Sequence, residues 1–273
     1  MVIAQITDTH IKPEGVLAYG RLDTTPYLRR AVEHLMSLAP RPDVVLATGD
    51  LVDGGLPEEY RRLRELLAPL SMPVYLIPGN HDNRDALSGV FTDHAYLPRG
   101  GRFMQYVVED YPVRLIALDT LDPGRIGGLL CAERLAWLAA RLDEGPARPT
   151  LIFMHHPPFA TGIATMDAHG LANAAEFAKI VRRHPQIERI VAGHLHRPID
   201  ARVGGILAST APSTAHQVAL DLEERPLSFT MEPPACQLHV WSAETGLISH
   251  TSYIGDYGGP YLFATGMKRE GNA

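Results

Sequence analysis

A chain of 273 residues with 45% hydrophobic content is long enough for one substantial core, so a single domain over 1–273 is expected. A formal net charge of −6 gives no basic field to gather polyanions. It argues against nucleic acid polymers as partners and leaves any phosphate chemistry to bound metal rather than to Lys and Arg.

The apolar run Val2–Ile6 is short, has no basic region before it and meets Asp8 at once, so it reads as a strand and not as a signal peptide. A helix is expected from Thr24 or Thr25, with Pro26 in its first turn and Leu28, Ala31, Val32, Leu35 and Leu38 on one face. Val44–Ala47 is a second strand, Pro57 opens a helix carrying Leu63, Leu66, Leu67 and Leu70, and Val74–Ile77 is a third strand. Met104–Glu109 and Val113–Asp119, separated by three residues, predict an antiparallel pair. Further on come a helix with Leu135, Leu138 and Leu142, strands at Leu151–Met154 and Ile187–Ala192, and a helix around Ala172–Val181 between them. Beyond residue 200, short runs at Gly205–Ser209, Ala215–Leu220, Gln237–Trp241 and Leu247–Ile254 suggest a second, antiparallel sheet. Residues 221–236, rich in proline, read as a loop able to act as a lid or to mediate homo-oligomerisation into a dimer or a higher assembly. No window reaches the ~20 apolar residues of a membrane span, so no membrane insertion is expected. Cys131 and Cys236 form no Cys-x-x-Cys pair, which suits a cytoplasmic protein and argues against a thiolate metal site.

Five predicted strands each end in a polar cluster: Asp8-Thr9-His10, Gly49-Asp50, Gly79-Asn80-His81-Asp82, His155-His156 and Gly193-His194-Leu195-His196. Ligands of α/β sheets bind outside the carboxyl ends of the strands, so these clusters are expected to converge on one edge. An extended backbone within Asp8-Thr9-His10 and His194-Leu195-His196 would put both outer side chains on the same side, where each pair can chelate an ion. A lone cluster of this kind is more often a turn or a satisfied core histidine; five at five strand ends point to metal. The candidate ligands are oxygen and imidazole nitrogen, which suit zinc, manganese, iron(II) or cobalt better than copper(I). Seven of them are too many for one ion and serve two if Asp50 bridges. Gly49, Gly79 and Gly193 each precede a ligand, where the chain must turn tightly beside the site.

The series D-x-H, G-D, G-N-H-D, H and G-H-x-H over roughly residues 1–200 resembles the calcineurin-like metallophosphoesterases. The resemblance implies a four-layer α/β/β/α sandwich of two mixed β-sheets flanked by helices. It implies one metal on Asp8, His10, Asp50 and His196, and the other on Asp50, Asn80, His155 and His194. Leu17-Ala18-Tyr19-Gly20, Met154-His155-His156-Pro157-Pro158 and His216-Gln217-Val218 are most similar to the branch of bacterial cyclic-nucleotide phosphodiesterases and glycerophosphodiesterases. A small phosphodiester substrate is implied, with Asn80, His81, Tyr19 and His216 against it. In such enzymes the histidine after the ligand Asn points at the substrate, so His81 is expected to assist the leaving oxygen, with Asp53 as a residue that could orient it. His156, directly after a ligand in a strand, is expected to point away into a supporting role. Two other readings stay open: a phosphomonoesterase or nucleotide-sugar hydrolase on the same metal centre, and a non-catalytic scaffold of the same fold.

Overall fold

A computed structural model describes residues 1–262; residues 263–273, the end of the expected domain, lie outside the described residues. The first part follows its periodicities. Strands β1 (Val2–Ile6), β2 (Val44–Thr48) and β3 (Val74–Ile77) run parallel and alternate with helices α1 (Thr25–Ser37) and α2 (Pro57–Leu67). Pro26 and Pro57 stand at the helix starts, where the fixed φ is pre-organised and the missing N–H is no loss. The helix α3 (Arg84–Val90) was not expected; it starts at Asn83, whose side chain accepts from the amides of Asp85 and Ala86.

β4 (Tyr106–Val108) and β5 (Arg114–Ala117) form the predicted antiparallel pair. They are followed by β6 (Gly128–Leu129), α4 (Ala132–Glu144), β7 (Thr150–Phe153), α5 (Ala164–Asp167), β8 (Leu171–Ala172), α6 (Ala174–Val181) and β9 (Ile187–Ala192). After them come β10 (Ile199–Val203), β11 (Ile206–Thr210), β12 (Gln217–Val218), β13 (Phe229–Thr230), β14 (Ala235–Ser242) and β15 (Gly246–Tyr253). The late strands do not build a separate antiparallel sheet. They complete two mixed sheets, ordered β15-β14-β1-β2-β3 and β10-β11-β9-β7-β5-β4, while β12 and β13 form a small ribbon. Physically, β1 and β9 would otherwise present a row of unpaired N–H and C=O groups next to the core. β14 satisfies those of β1 in antiparallel register, Val2 opposite Val240, and β11 satisfies those of β9 in parallel.

Alternation along the second sheet fixes the layers. Leu115, Ala117, Leu151, Phe153 and Val191 enter the core shared with the first sheet. Their neighbours Ile116, Leu118, Ile152, Met154 and Ile190 face Leu138 and Leu142 of α4 and Phe177 of α6. The first sheet packs its outer face on Leu28 and Leu35 of α1 and Leu63 of α2. Helices, sheet, sheet and helices therefore stack in the expected order. Across the seam, the Gln5 amide donates to the Ala192 carbonyl at 2.9 Å, tying β1 to β9 where their carboxyl ends come together.

Candidate metal centre

The polar clusters leave β1, β2 and β3 on one sheet and β7 and β9 on the other, so the site straddles the seam between two sheets rather than sitting on one edge. The backbone that delivers them is not extended. Asp8, His10, Asp50, His194 and His196 have φ of 53°, 43°, 45°, 69° and 52°, in the left-handed region that costs a non-glycine residue roughly 1–2 kcal/mol each. Convergence of Asp8 with His10, and of His194 with His196, thus comes from tight turning and not from the pleat. Hydrogen bonds hold the turns. Asp8 N donates to Gly49 O at 3.1 Å, His10 N to Asp50 O at 3.0 Å, His194 N to the Asp8 carboxylate at 3.0 Å, and His81 N to Asp50 Oδ1 at 2.9 Å. Packing is so close that a Cβ on Gly193 would lie 2.9 Å from Asp8 Oδ2, and one on Gly49 2.8 Å from Gly79 N.

The candidate donor atoms face one another. His155 Nδ1 donates to Thr48 O at 2.8 Å, which leaves Nε2 a lone pair 3.1 Å from Asn80 Oδ1 and 3.4 Å from Asp50 Oδ2. His196 Nδ1 donates to His216 O at 3.0 Å, leaving its Nε2 3.4 Å from Asp8 Oδ1 and 3.3 Å from His10 Nε2. His194 Nε2 is buried with no hydrogen-bond partner. Acceptors arranged this way need a cation among them, so the residues fit metal ions. Burial alone would lower His155, but the carboxylates of Asp50 and Asp8 raise it to about 9. Burial alone would raise Asp50, yet His155, His81 and His10 hold its carboxyl well below its usual range. His194 and His196 go the other way, His196 to about 3, because burial and neighbouring histidines disfavour a further positive charge.

Around these atoms lies a cavity of about 300 Å³. Its floor holds His10, Asp50, Asn80, His194 and His196; His81, Tyr19 and His216 line it beside Ile126, Met166, Val218, Leu227 and Phe229. His81 Nδ1 donates to the Asp53 backbone carbonyl at 2.8 Å, which turns its other nitrogen away from that contact. The Asp53 carboxylate instead meets His10 Nδ1 at 3.2 Å; its 3.7 Å to His81 is too long for a hydrogen bond, so the expected orientation of His81 by Asp53 runs through the main chain. His156 lies outside the donor set, both ring nitrogens being taken by Thr120 Oγ1 at 2.8 Å and Ile126 O at 2.9 Å. Sequence reasoning missed Lys12 and the buried Glu59, which flank Asp53, and the apolar wall at Leu227 and Phe229. It also missed Asp82, whose carboxylate accepts from Leu51 N and Gly79 N and so ties two ligand-bearing loops together. The -H-D tail of G-N-H-D was the available signal for it.

Stacked mixed sheets with such a donor cluster at their shared seam define a metallophosphoesterase, and the chain belongs to the calcineurin-like phosphoesterase family, whose model matches residues 1–198. Over 265 residues it is 41% identical to "Probable glycerophosphodiester phosphodiesterase GpdQ" of Arcobacter nitrofigilis, covering 96% of this chain and 97% of that protein. It is 37% identical, over 95% of its length and 94% of the relative's, to "Probable cyclic nucleotide phosphodiesterase RPA0124" of Rhodopseudomonas palustris. A dimetal phosphatase from Danio rerio is similar in fold, with a TM-score of 0.64 at 18% identity, covering 93% of this chain and 99% of that one.

Proposed function

We propose that this metal-dependent phosphodiesterase holds two divalent ions (manganese, iron, zinc or cobalt) and hydrolyses small diesters, either 3',5'-cyclic nucleotides or glycerophosphodiesters. Asp8, His10, Asp50 and His196 would hold one ion, and Asp50, Asn80, His155 and His194 the other. The observation that carries this reading is the set of lone pairs turned on one another around Asp50. When bound, the ions supply a water-derived nucleophile at neutral pH and neutralise the phosphoryl oxygens.

The chain's own groups do the rest. His81, its Nδ1 proton committed to the Asp53 carbonyl, offers Nε2 to the cavity to protonate or stabilise the leaving oxygen. The Asn80 amide, Tyr19 and His216 position the substrate. Among the described residues no Arg or Lys lines the cavity, and Arg197, beside His196, is engaged by Val218 O and Glu232. A monoanionic diester suits that wall better than a dianionic monoester. Residues 221–236, expected as a loop but carrying strand β13 and the start of β14, act as cover, since Leu227, Ser228 and Phe229 reach the cavity, and the exposed Leu222 and Met231 of the same segment would serve self-association, which native mass spectrometry reads. Two free cysteines support a cytosolic setting. Metal content and turnover of an aryl diester against its monoester, measured on one purified sample, test the proposal. Faster monoester turnover, or one ion at saturating metal, refutes it.

A further inference from the structure

Resting on the two-ion reading, we infer that Asp53 is a positioning residue for the metal ligand His10, pinned to that task by Lys12, and that it serves His81 through its backbone alone. The three atoms of Asp53 that accept are divided among three partners. Oδ1 lies 3.2 Å from His10 Nδ1, Oδ2 lies 3.3 Å from Lys12 Nζ, and the carbonyl oxygen lies 2.8 Å from His81 Nδ1. Lys12 is anchored in turn 3.1 Å from Glu59, whose other oxygen accepts from Gly54 N and Leu56 N and so fixes the turn that carries Asp53. Past the ends of β1 and β2 the two chains still run side by side, Ile11 N donating to Leu51 O and Asp53 N to Ile11 O, which brings His10, Lys12 and Asp53 together.

Chemically, the carboxylate selects a tautomer. The Tyr19 hydroxyl lies 3.3 Å from the same His10 Nδ1 and can only donate there if that nitrogen has no proton. Donation by Tyr19 would put the ring proton on Nε2, the atom that faces His196 and the metal position, and would abolish the lone pair needed there. Asp53, as an acceptor, keeps the proton on Nδ1 and strengthens Nε2 as a donor to metal, as carboxylate partners of ligating histidines do. Lys12 holds the carboxylate in reach of His10.

The test uses the full chain stripped of metal and titrated with Mn²⁺ by calorimetry. In Asp53→Asn, which keeps shape and backbone, one of the two sites should weaken by roughly 10–100-fold while the other stays within about threefold of wild type. Tyr19→Phe added to Asp53→Asn removes the competing donor and should restore part of the loss. At saturating Mn²⁺ the fall in kcat for Asp53→Asn should be the same on a nitrophenyl diester and on a glycerophosphodiester, because His81 keeps its carbonyl partner. Lys12→Met, a second variant should the first not fold, should weaken the same site by about 3–10-fold. Unchanged affinities in Asp53→Asn, or a loss that depends on the leaving group, overturn this assignment alone. Fewer than two ions in the wild type overturns the two-ion reading on which it rests.

Discussion

Replacing Gly79 by alanine isolates how tightly Asp50 is packed. Gly79 does not have a left-handed φ, so alanine costs nothing in backbone conformation, and the whole effect is steric. Its Cβ would fall under 3.0 Å from Oδ1, N and Cγ of Asp50, the Cγ at 2.9 Å, where ordinary contact is 3.4–4 Å. Relief requires Asp50 to move by about 1 Å, and a displacement of that size can cost about 10²-fold in rate, with roughly 1–3 kcal/mol of overpacking lost from stability. Gly89 in α3 is the matched control, since a Cβ there meets nothing within 4 Å; Gly89→Ala should leave activity alone and add about 0.5–1 kcal/mol. Thermal unfolding, metal content and kcat/KM on an aryl diester read all three quantities. Wild-type metal content and kcat/KM in Gly79→Ala would show that Asp50 has slack the structure does not give it.

Asp50→Ala should strip both ions or nearly so if its carboxylate is shared as proposed, and elemental analysis showing one ion retained counts against the bridge. His81→Ala should lower kcat by ~10²–10⁴-fold on a natural diester, with metal content intact and a smaller loss on a nitrophenyl diester; equal losses on both would remove the acid role. His239 is fully buried between Ser249 Oγ and Gln5 Oε1, and burial with a smaller push from Arg189 lowers it to about 3. Its folded pKa lies below the unfolded value, so the folded state loses stability as pH falls from about 6.5 toward 3, by about 2 kcal/mol at pH 5. Denaturant titrations of His239→Gln at pH 7 and pH 5 should show that much less acid sensitivity than wild type, and an unchanged difference refutes the assignment.

The first elements and the candidate metal donors were legible because each rests on a local signal: short unbroken apolar runs for β1 to β3, buried on both faces, period-3.6 burial for α1 and α2, and fixed residue types at strand ends for the candidate ligands, while the layer order came from the family resemblance. What failed was non-local. The runs after residue 200 announce strands, but nothing near Val240 says that its partner is Val2. Ile199–Val203 alternates with Asp200 and Arg202 outward and too little apolar mass to stand out, and α3 spans only 7 residues behind a motif. The left-handed turns at Asp8, His10 and His194 were hidden because a positive φ is uncommon for any non-glycine residue, even for Asp and His, and here it is held by long-range hydrogen bonds that no local pattern announces. Asp53 was visible as a carboxylate three residues after Asp50; which of its oxygens meets which histidine depended on Lys12 and Glu59, which carry no motif.

Because donors from both sheets meet at the seam, the ribosome cannot deliver a working fragment of this site. Asp8 is translated early, yet the amide that holds its carboxylate belongs to His194, 186 residues later, and its own carbonyl waits for Ser213, 205 residues later. A nascent chain short of β9 exposes β1's polar tail with no counterpart. The complete cluster of donors therefore exists only once the chain has been made through Ser213.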